Sequence, residues 1–307
     1  MHRPFEHAVI VGCGLLGTSL GLALRNAALV RTITGVGRRG SPSVKTALDR
    51  GAIDRTSDDA ARAVSGAPLD GSPAAVSPAD LIILCTPLRQ FPAIMKAIAP
   101  ALANGAIVTD VGSVKSQVAQ WAAAFLPAQA HFVGSHPMAG SEQSGPDAAK
   151  PDLYQNAPCI ICPNPAAPQA TARIVDLWQA LGARTAEIPP DLHDHFVAAI
   201  SHLPHLTAAL LVNTAAETPA ALALAAGGFL DTTRIASSDI TMWTDILLTN
   251  KDAILQALDQ FTNHAAALRN AIAAGDSAAI AKTLTDARQV REKMLDRRKP
   301  VPPPGDA

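Results

Sequence analysis

The chain has 307 residues, with 25 Lys and Arg against 26 Asp and Glu, a formal net charge of −1, and 48% hydrophobic residues. Such a chain buries enough apolar surface for two globular domains, which excludes intrinsic disorder. Near-neutral charge without a Lys/Arg run argues against nucleic-acid binding, and the opening MHRPFEHAVIVGCG holds too short an apolar run for a secretion signal or a membrane span.

In chain order, residues 7–11 read as a buried strand, followed by Gly12-x-Gly14-x-x-Gly17 and a helix over Leu15–Asn26. A glycine triplet alone is weak evidence. Set between a strand and a helix it reads as a dinucleotide-binding turn, with the pyrophosphate at a helix N-terminus. Gly12, Gly14, Leu15, Leu16 and Gly17 are therefore candidate cofactor residues. A second strand, 32–36, ends in Gly-Arg38-Arg39, where an NAD site usually places Asp or Glu for the ribose hydroxyls. Two arginines there favour NADP over NAD, through charge-assisted bonds to a 2′-phosphate; the alternative is a solvated basic turn. Residues 65–80, rich in Pro, Gly and Ser, read as a surface loop. Leu81–Leu84 forms the next apolar run, and Thr86 and Pro87 follow it at the carboxyl edge of the sheet, as a cofactor-lining loop.

A helix over 92–101, a strand over 106–109, a helix over 114–125 and a strand over 131–134 continue the alternation. After the two strands come TDVGSVK and SHPMAGSEQSG, which bring Ser113, His136 and Glu142 to the same sheet edge. A histidine there can take a substrate hydroxyl proton, because its ordinary pKa lies near neutrality. Cys159-x-x-Cys162 invites a metal or redox reading, but it lies in an apolar strand over 158–161, where residues three apart face opposite sides. Four cysteines in all suit a reducing cytoplasm. A helix over 171–181 and a strand over 183–188 close an α/β Rossmann-type domain, 1–188, with a parallel sheet covered on both faces. From 189 to 295 only helical periodicity remains, an all-α domain, and 296–307 is expected to be an extended tail.

In the first long helix of that domain, Asp194, Ala198, Ser201 and His205 share one face. Pro204 should kink the helix and turn His205 towards a cleft. A zinc site using HDHFVAAISHLPH is disfavoured, since His193 and His195 point in different directions; no metal is expected. Arg234, in DTTRIASSD, reads as a carboxylate contact, against the alternative of a surface ion pair with Asp231.

VGSHPMAGSEQSG, preceded by DVGSVK and followed by HDHFVAAISHLPHLTAALL and DTTRIASSD, resembles the prephenate/arogenate dehydrogenase family, in order from residue 8 to about residue 255. The resemblance implies a Rossmann-type domain and a helical dimerisation domain, hence a homodimer. It also implies oxidative decarboxylation of prephenate or arogenate in tyrosine synthesis, with hydride transfer to NADP or NAD. By motif, His136 is the catalytic histidine on the ring 4-hydroxyl, supported by Ser113. His205 and Ser201 contact substrate, Arg234 binds its carboxylate, and Glu142 matches an acidic residue near the pocket. The expected partner is a small molecule, with no nucleic acid and no membrane. The rivals are another two-domain reductase acting on a hydroxyacid or imine, and a non-catalytic dinucleotide sensor. The first usually carries a catalytic Lys or Asp in its helical domain; the second would bind cofactor without turnover.

Overall fold

The computed structural model describes residues 5–71, 74–140 and 143–296. The strands are β1 (Phe5–Val11), β2 (Val30–Val36), β3 (Arg55–Ser57), β4 (Leu81–Leu84), β5 (Ile107–Asp110), β6 (His131–Pro137), β7 (Pro158–Cys162) and β8 (Arg184–Glu187). They form one sheet in the order β3-β2-β1-β4-β5-β6-β7-β8. The first six run parallel, so the residues following β1, β2, β4, β5 and β6 meet along one carboxyl edge. The sequence pattern leads to the expectation of a parallel sheet, and the last two strands depart from it: β7 runs antiparallel to β6, and β8 parallel to β7. A strand's composition does not encode its direction. Among the described residues, the connection from Met138 to Ala157 contains only a short 3-10 turn and no α-helix that would carry the chain back for a parallel return.

The helices of this sheet domain are α1 (Leu15–Asn26), α2 (Pro42–Asp49), α3 (Ala60–Val64), α4 (Phe91–Ile98), α5 (Ser116–Phe125) and α6 (Pro168–Ala180). Alternation along β1 and β4 divides the core into two layers. Ala8, Ile10, Leu81 and Ile83 pack with Leu20 and Leu24 of α1 and Trp178 of α6. Val9, Val11, Ile82 and Leu84 pack with Val64 of α3, Phe91 and Met95 of α4, and Val118 of α5. Both faces are thus covered, which is why these strands read as continuous apolar runs. The 65–80 loop is anchored at its base: Arg55 donates to the carbonyls of Ala67 and Ala74, and Ala79 N–H to Val64 O.

Beyond β8 come α7 (Pro190–Val197), α8 (Leu203–Ala216), α9 (Pro219–Leu222), α10 (Gly227–Thr233), α11 (Ile240–Thr249), α12 (Lys251–Ala274) and α13 (Ser277–Asp296). A π-turn, Ala198–His202, joins α7 to α8, so the stretch from Pro190 to Ala216 is helical throughout. The chain divides into two compact units after Ile254. The tail expected from residue 296 lies, past Asp296, outside the described residues.

Candidate active site

Gly12 takes φ +102°, and a Cβ there would stand 2.8 Å from the Cys85 backbone. At Gly17 a Cβ would stand 2.0 Å from Gly12 O, so helix and turn meet backbone to backbone. A Cβ on Gly14 would meet nothing within 4 Å, which leaves that backbone open to a ligand. No side chain caps α1, and Leu15 and Leu16 lie in its first turn, so the free N–H groups there suit a phosphate. Thr86 Oγ1, on the neighbouring loop, is buried with no hydrogen-bond partner among the described residues, and Pro87 is exposed. An open glycine, an uncapped helix start and an orphan hydroxyl on one edge fit a dinucleotide. Arg38 and Arg39 are exposed just beyond β2, and Arg39 Nε lies 3.2 Å from Asp58 Oδ2.

At the end of β5, the fully buried Asp110 contacts the Lys115 ammonium and accepts from the Gly112 N–H at 2.9 Å. Burial raises the pKa of the Asp110 carboxyl, and the Lys115 charge opposes that rise. Lys115 also donates to Ser135 O at 2.8 Å, which ties the β5–α5 loop, and Ser113 within it, to β6. Ser113 is half-buried.

His136, on β6, is half-buried. Its Nδ1 lies 2.8 Å from His193 Nε2, and His193 Nδ1 lies 2.8 Å from Asp194 Oδ1. Asp194 in turn accepts from the backbone N–H groups of Lys115 at 2.8 Å and Ser116 at 2.9 Å, at the start of α5. Burial raises the Asp194 carboxyl, but the His193 bond and the two N–H groups outweigh it and hold the pKa below the usual carboxylate range. His136 is pushed well below the ordinary histidine value by burial, then by His193, Lys115 and His202. Burial and these neighbours thus favour its neutral form.

The helical elements continue this network. Asn250 donates to Asp194 O at 2.9 Å and lies 3.2 Å from His202 Nδ1. His202 meets the Trp243 ring edge-on, and Trp243 stacks on His205 with centroids 3.5 Å apart and planes 6° from parallel. Among the described residues, His205 Nδ1 and Trp243 Nε1 are buried without partners, two polar atoms left for a ligand. Of the residues expected from sequence, His136 and His205 join one contact chain through His193, Asp194, Asn250, His202 and Trp243. Ser201 is half-buried, one residue before His202. Arg234 is exposed and forms no ion pair with Asp231 among the described residues. Glu142 lies outside the described residues.

The network supplies residues that sequence reasoning missed: Lys115, His193, Asp194 as a hydrogen-bond acceptor, His202, Trp243 and Asn250. The His193–Asp194 pair was visible in HDHF, but its partners lie 57 and 79 positions away. Pro204 lies just after a π-turn, Ala198–His202, which was not expected from the sequence. The wider turn accommodates the missing N–H and places His202 among the buried residues.

Two family models match in sequence: the nucleotide-binding domain of prephenate dehydrogenase over residues 20–187, and its dimerization domain over 189–286. A cyclohexadienyl dehydrogenase of Zymomonas mobilis is 35% identical over 297 residues, covering 94% of this chain and 95% of its own. Among solved structures, prephenate dehydrogenase from A. aeolicus, in complex with hydroxyphenyl propionate and NAD+, is similar with TM-score 0.85 at 30% identity, covering 95% of this chain and 99% of that one. Synechocystis arogenate dehydrogenase follows with TM-score 0.78 at 29% identity, over 94% and 100% of the two chains. Matched by both models in order and by relatives along nearly its whole length, the chain belongs to the prephenate dehydrogenase family and is an oxidoreductase with a nucleotide-binding domain followed by a dimerization domain.

Proposed function

We propose that this chain oxidatively decarboxylates prephenate to 4-hydroxyphenylpyruvate, arogenate to tyrosine, or both, in tyrosine synthesis. The observation that carries the reading is His136, a base held neutral on the same sheet edge as the glycine turn. His136 draws the proton from the ring 4-hydroxyl, and Ser113 supports that hydroxyl. Arg234 holds a substrate carboxylate, with His205 and Ser201 lining the substrate and Glu142 near the pocket mouth. The oxidised nicotinamide, when bound, accepts the hydride from C4. Loss of carbon dioxide then leaves an aromatic ring, so the reaction is strongly downhill and the chain's task is positioning and charge stabilisation.

Gly12, Gly14, Leu15, Leu16, Gly17, Thr86 and Pro87 hold the dinucleotide. Arg38 and Arg39 favour NADP over NAD: they bring two positive charges to the tip of β2, and Arg39 has an acidic partner, Asp58, on an exposed side chain that a 2′-phosphate can displace. The functional domains are 1–188 and 189–295. The 27-residue helical stretch from Pro190 to Ala216 is long and apolar enough to cross a bilayer, yet His193, Asp194 and His202 tie it to the site. Exposed Ile200, Leu210, Leu211 and Leu230 mark the surface that a second copy covers, making a cytoplasmic homodimer. Steady-state assays with both substrates and both cofactors test the reading. Turnover with at least one cyclohexadienyl acid is expected; cofactor binding with no turnover on either would replace it with the sensor.

A further inference from the structure

We propose that His193 and Asp194 form a positioning relay behind His136, which fixes the tautomer that leaves His136 Nε2 free to receive the substrate proton. This rests on the reading of His136 as the base and goes beyond it by assigning roles to two residues that do not touch the substrate.

The relay has one consistent proton arrangement. Asp194 already accepts two backbone N–H bonds and is held as a carboxylate, so it can only accept from His193. His193 must then carry its proton on Nδ1, which leaves Nε2 as a bare acceptor. The atom facing that acceptor at 2.8 Å is His136 Nδ1, which must therefore donate. A neutral imidazole with Nδ1 protonated has its lone pair on Nε2. Each step follows from the one before, and the direction is set at the carboxylate end. A reversed chain would need a protonated Asp194, against the two N–H groups aimed at it.

Among the described residues, the neighbouring polar groups are engaged elsewhere and do not reverse the order. Lys115, from the β5–α5 loop, spends its ammonium on Asp110 and on Ser135 O. His202, from the π-turn, faces Asn250. His193 is completely buried, so water does not compete for its bonds in this arrangement. When His136 takes the hydroxyl proton, its Nδ1–H continues to donate to His193, and the Asp194 charge stabilises the imidazolium two bonds away. Asp194 also holds the start of α5, so one carboxylate sets both the base and the loop that bears Ser113.

The test uses the full chain with 15N-labelled histidines. In the parent protein at pH 7.5, the His136 signals should show protonated Nδ1 and bare Nε2, and His193 should likewise be protonated at Nδ1. Protonation of His136 at Nε2 would overturn the relay without need of any variant. His193→Phe keeps a ring of similar volume and removes both bonds. It should lower kcat by at least about tenfold while the KM for substrate stays within about threefold, and His136 should become a tautomer mixture. His193→Gln, which keeps an acceptor, should recover part of the lost turnover. Parent-like kcat with an unchanged His136 tautomer in His193→Phe would overturn the proposal. A parent enzyme inactive on both cyclohexadienyl acids would refute the functional reading, and the tautomer measurement would still decide the relay.

Discussion

Arg89, on the loop after β4, reaches the buried carboxylate of Asp245 on α11 at 3.2 Å. The loop that follows β4 is thereby joined to the helix whose Trp243 stacks on His205. Arg89→Ala leaves Asp245 buried and unpaired. Because the guanidinium is largely in water, the loss should be about 1–2 kcal/mol, below that of a fully buried pair, and should lower the Tm by a few degrees. Asp245→Asn in the same chain should restore most of that loss. A double-mutant cycle by thermal denaturation measures the coupling, and additive losses would sink it.

Gly14 and Gly17 should fail in different ways. Gly14→Ala adds a methyl into open space, so the protein should keep its Tm while its Kd for the dinucleotide rises at least about tenfold, since the methyl occupies the pyrophosphate's path. Gly17→Ala drives a methyl into Gly12 O and should cost about 1–3 kcal/mol of stability as well as cofactor binding. Calorimetry and cofactor titration separate the two. Equal stability losses would contradict the assigned roles.

For His136 and Arg234 the contrast is kinetic. His136→Asn should cut kcat by roughly a hundredfold or more with little change in KM. Arg234→Gln should chiefly raise KM, by roughly ten- to a hundredfold, the equivalent of a charge-assisted contact of about 1.5–3 kcal/mol. Since His136 must be neutral to accept a proton and its pKa is lowered, kcat/KM should hold down to the ordinary histidine range and fall only below it. That acid limb should vanish in His136→Asn. Near-normal turnover in His136→Asn, or intact substrate affinity in Arg234→Gln, would refute the division.

Cofactor choice is read at Arg38 and Arg39. Replacing both by Ala should raise the KM for NADP far more than that for NAD, because only the former carries the extra phosphate. Equal changes would mean that the two arginines form a solvated turn.

Acid should destabilise the fold through His202, whose pKa burial lowers to about 4. The unfolded chain binds this proton near the ordinary value of 6.5 and the folded chain does not. Stability is therefore complete above pH 6.5 and declines as the pH falls to about 4, by roughly 3 kcal/mol from this residue. His202→Gln should flatten the slope of Tm against pH in that window; an unchanged slope would assign the effect elsewhere.

Much of this was legible in sequence because it is local. The glycine turn, the helix over Leu15–Asn26 and the run Leu81–Leu84 lie where periodicity puts them, and His136 follows an apolar strand. What escaped depends on distant partners. The strand Arg55–Ser57 is three residues of polar composition, and only its pairing with β2 makes it a strand. His193 looks like one of several histidines until the sheet brings His136 to it. Ala198–His202 has an ordinary helical sequence, so its composition does not announce the π-turn there.

That π-turn lets the helical stretch carry one residue more than an α-helical turn would, without losing the phase of the helices on either side. Its five residues cover about the rotation of four in an α-helix. Deleting the exposed Ala199 would therefore restore regular winding with α7 and α8 still nearly in phase. His193 and Asp194 would keep facing His136, and His205 would keep its side of the helix. The same one-residue gap between His202 and His205, in regular α-helix, would turn all that follows by about 100° and carry His205 away from Trp243.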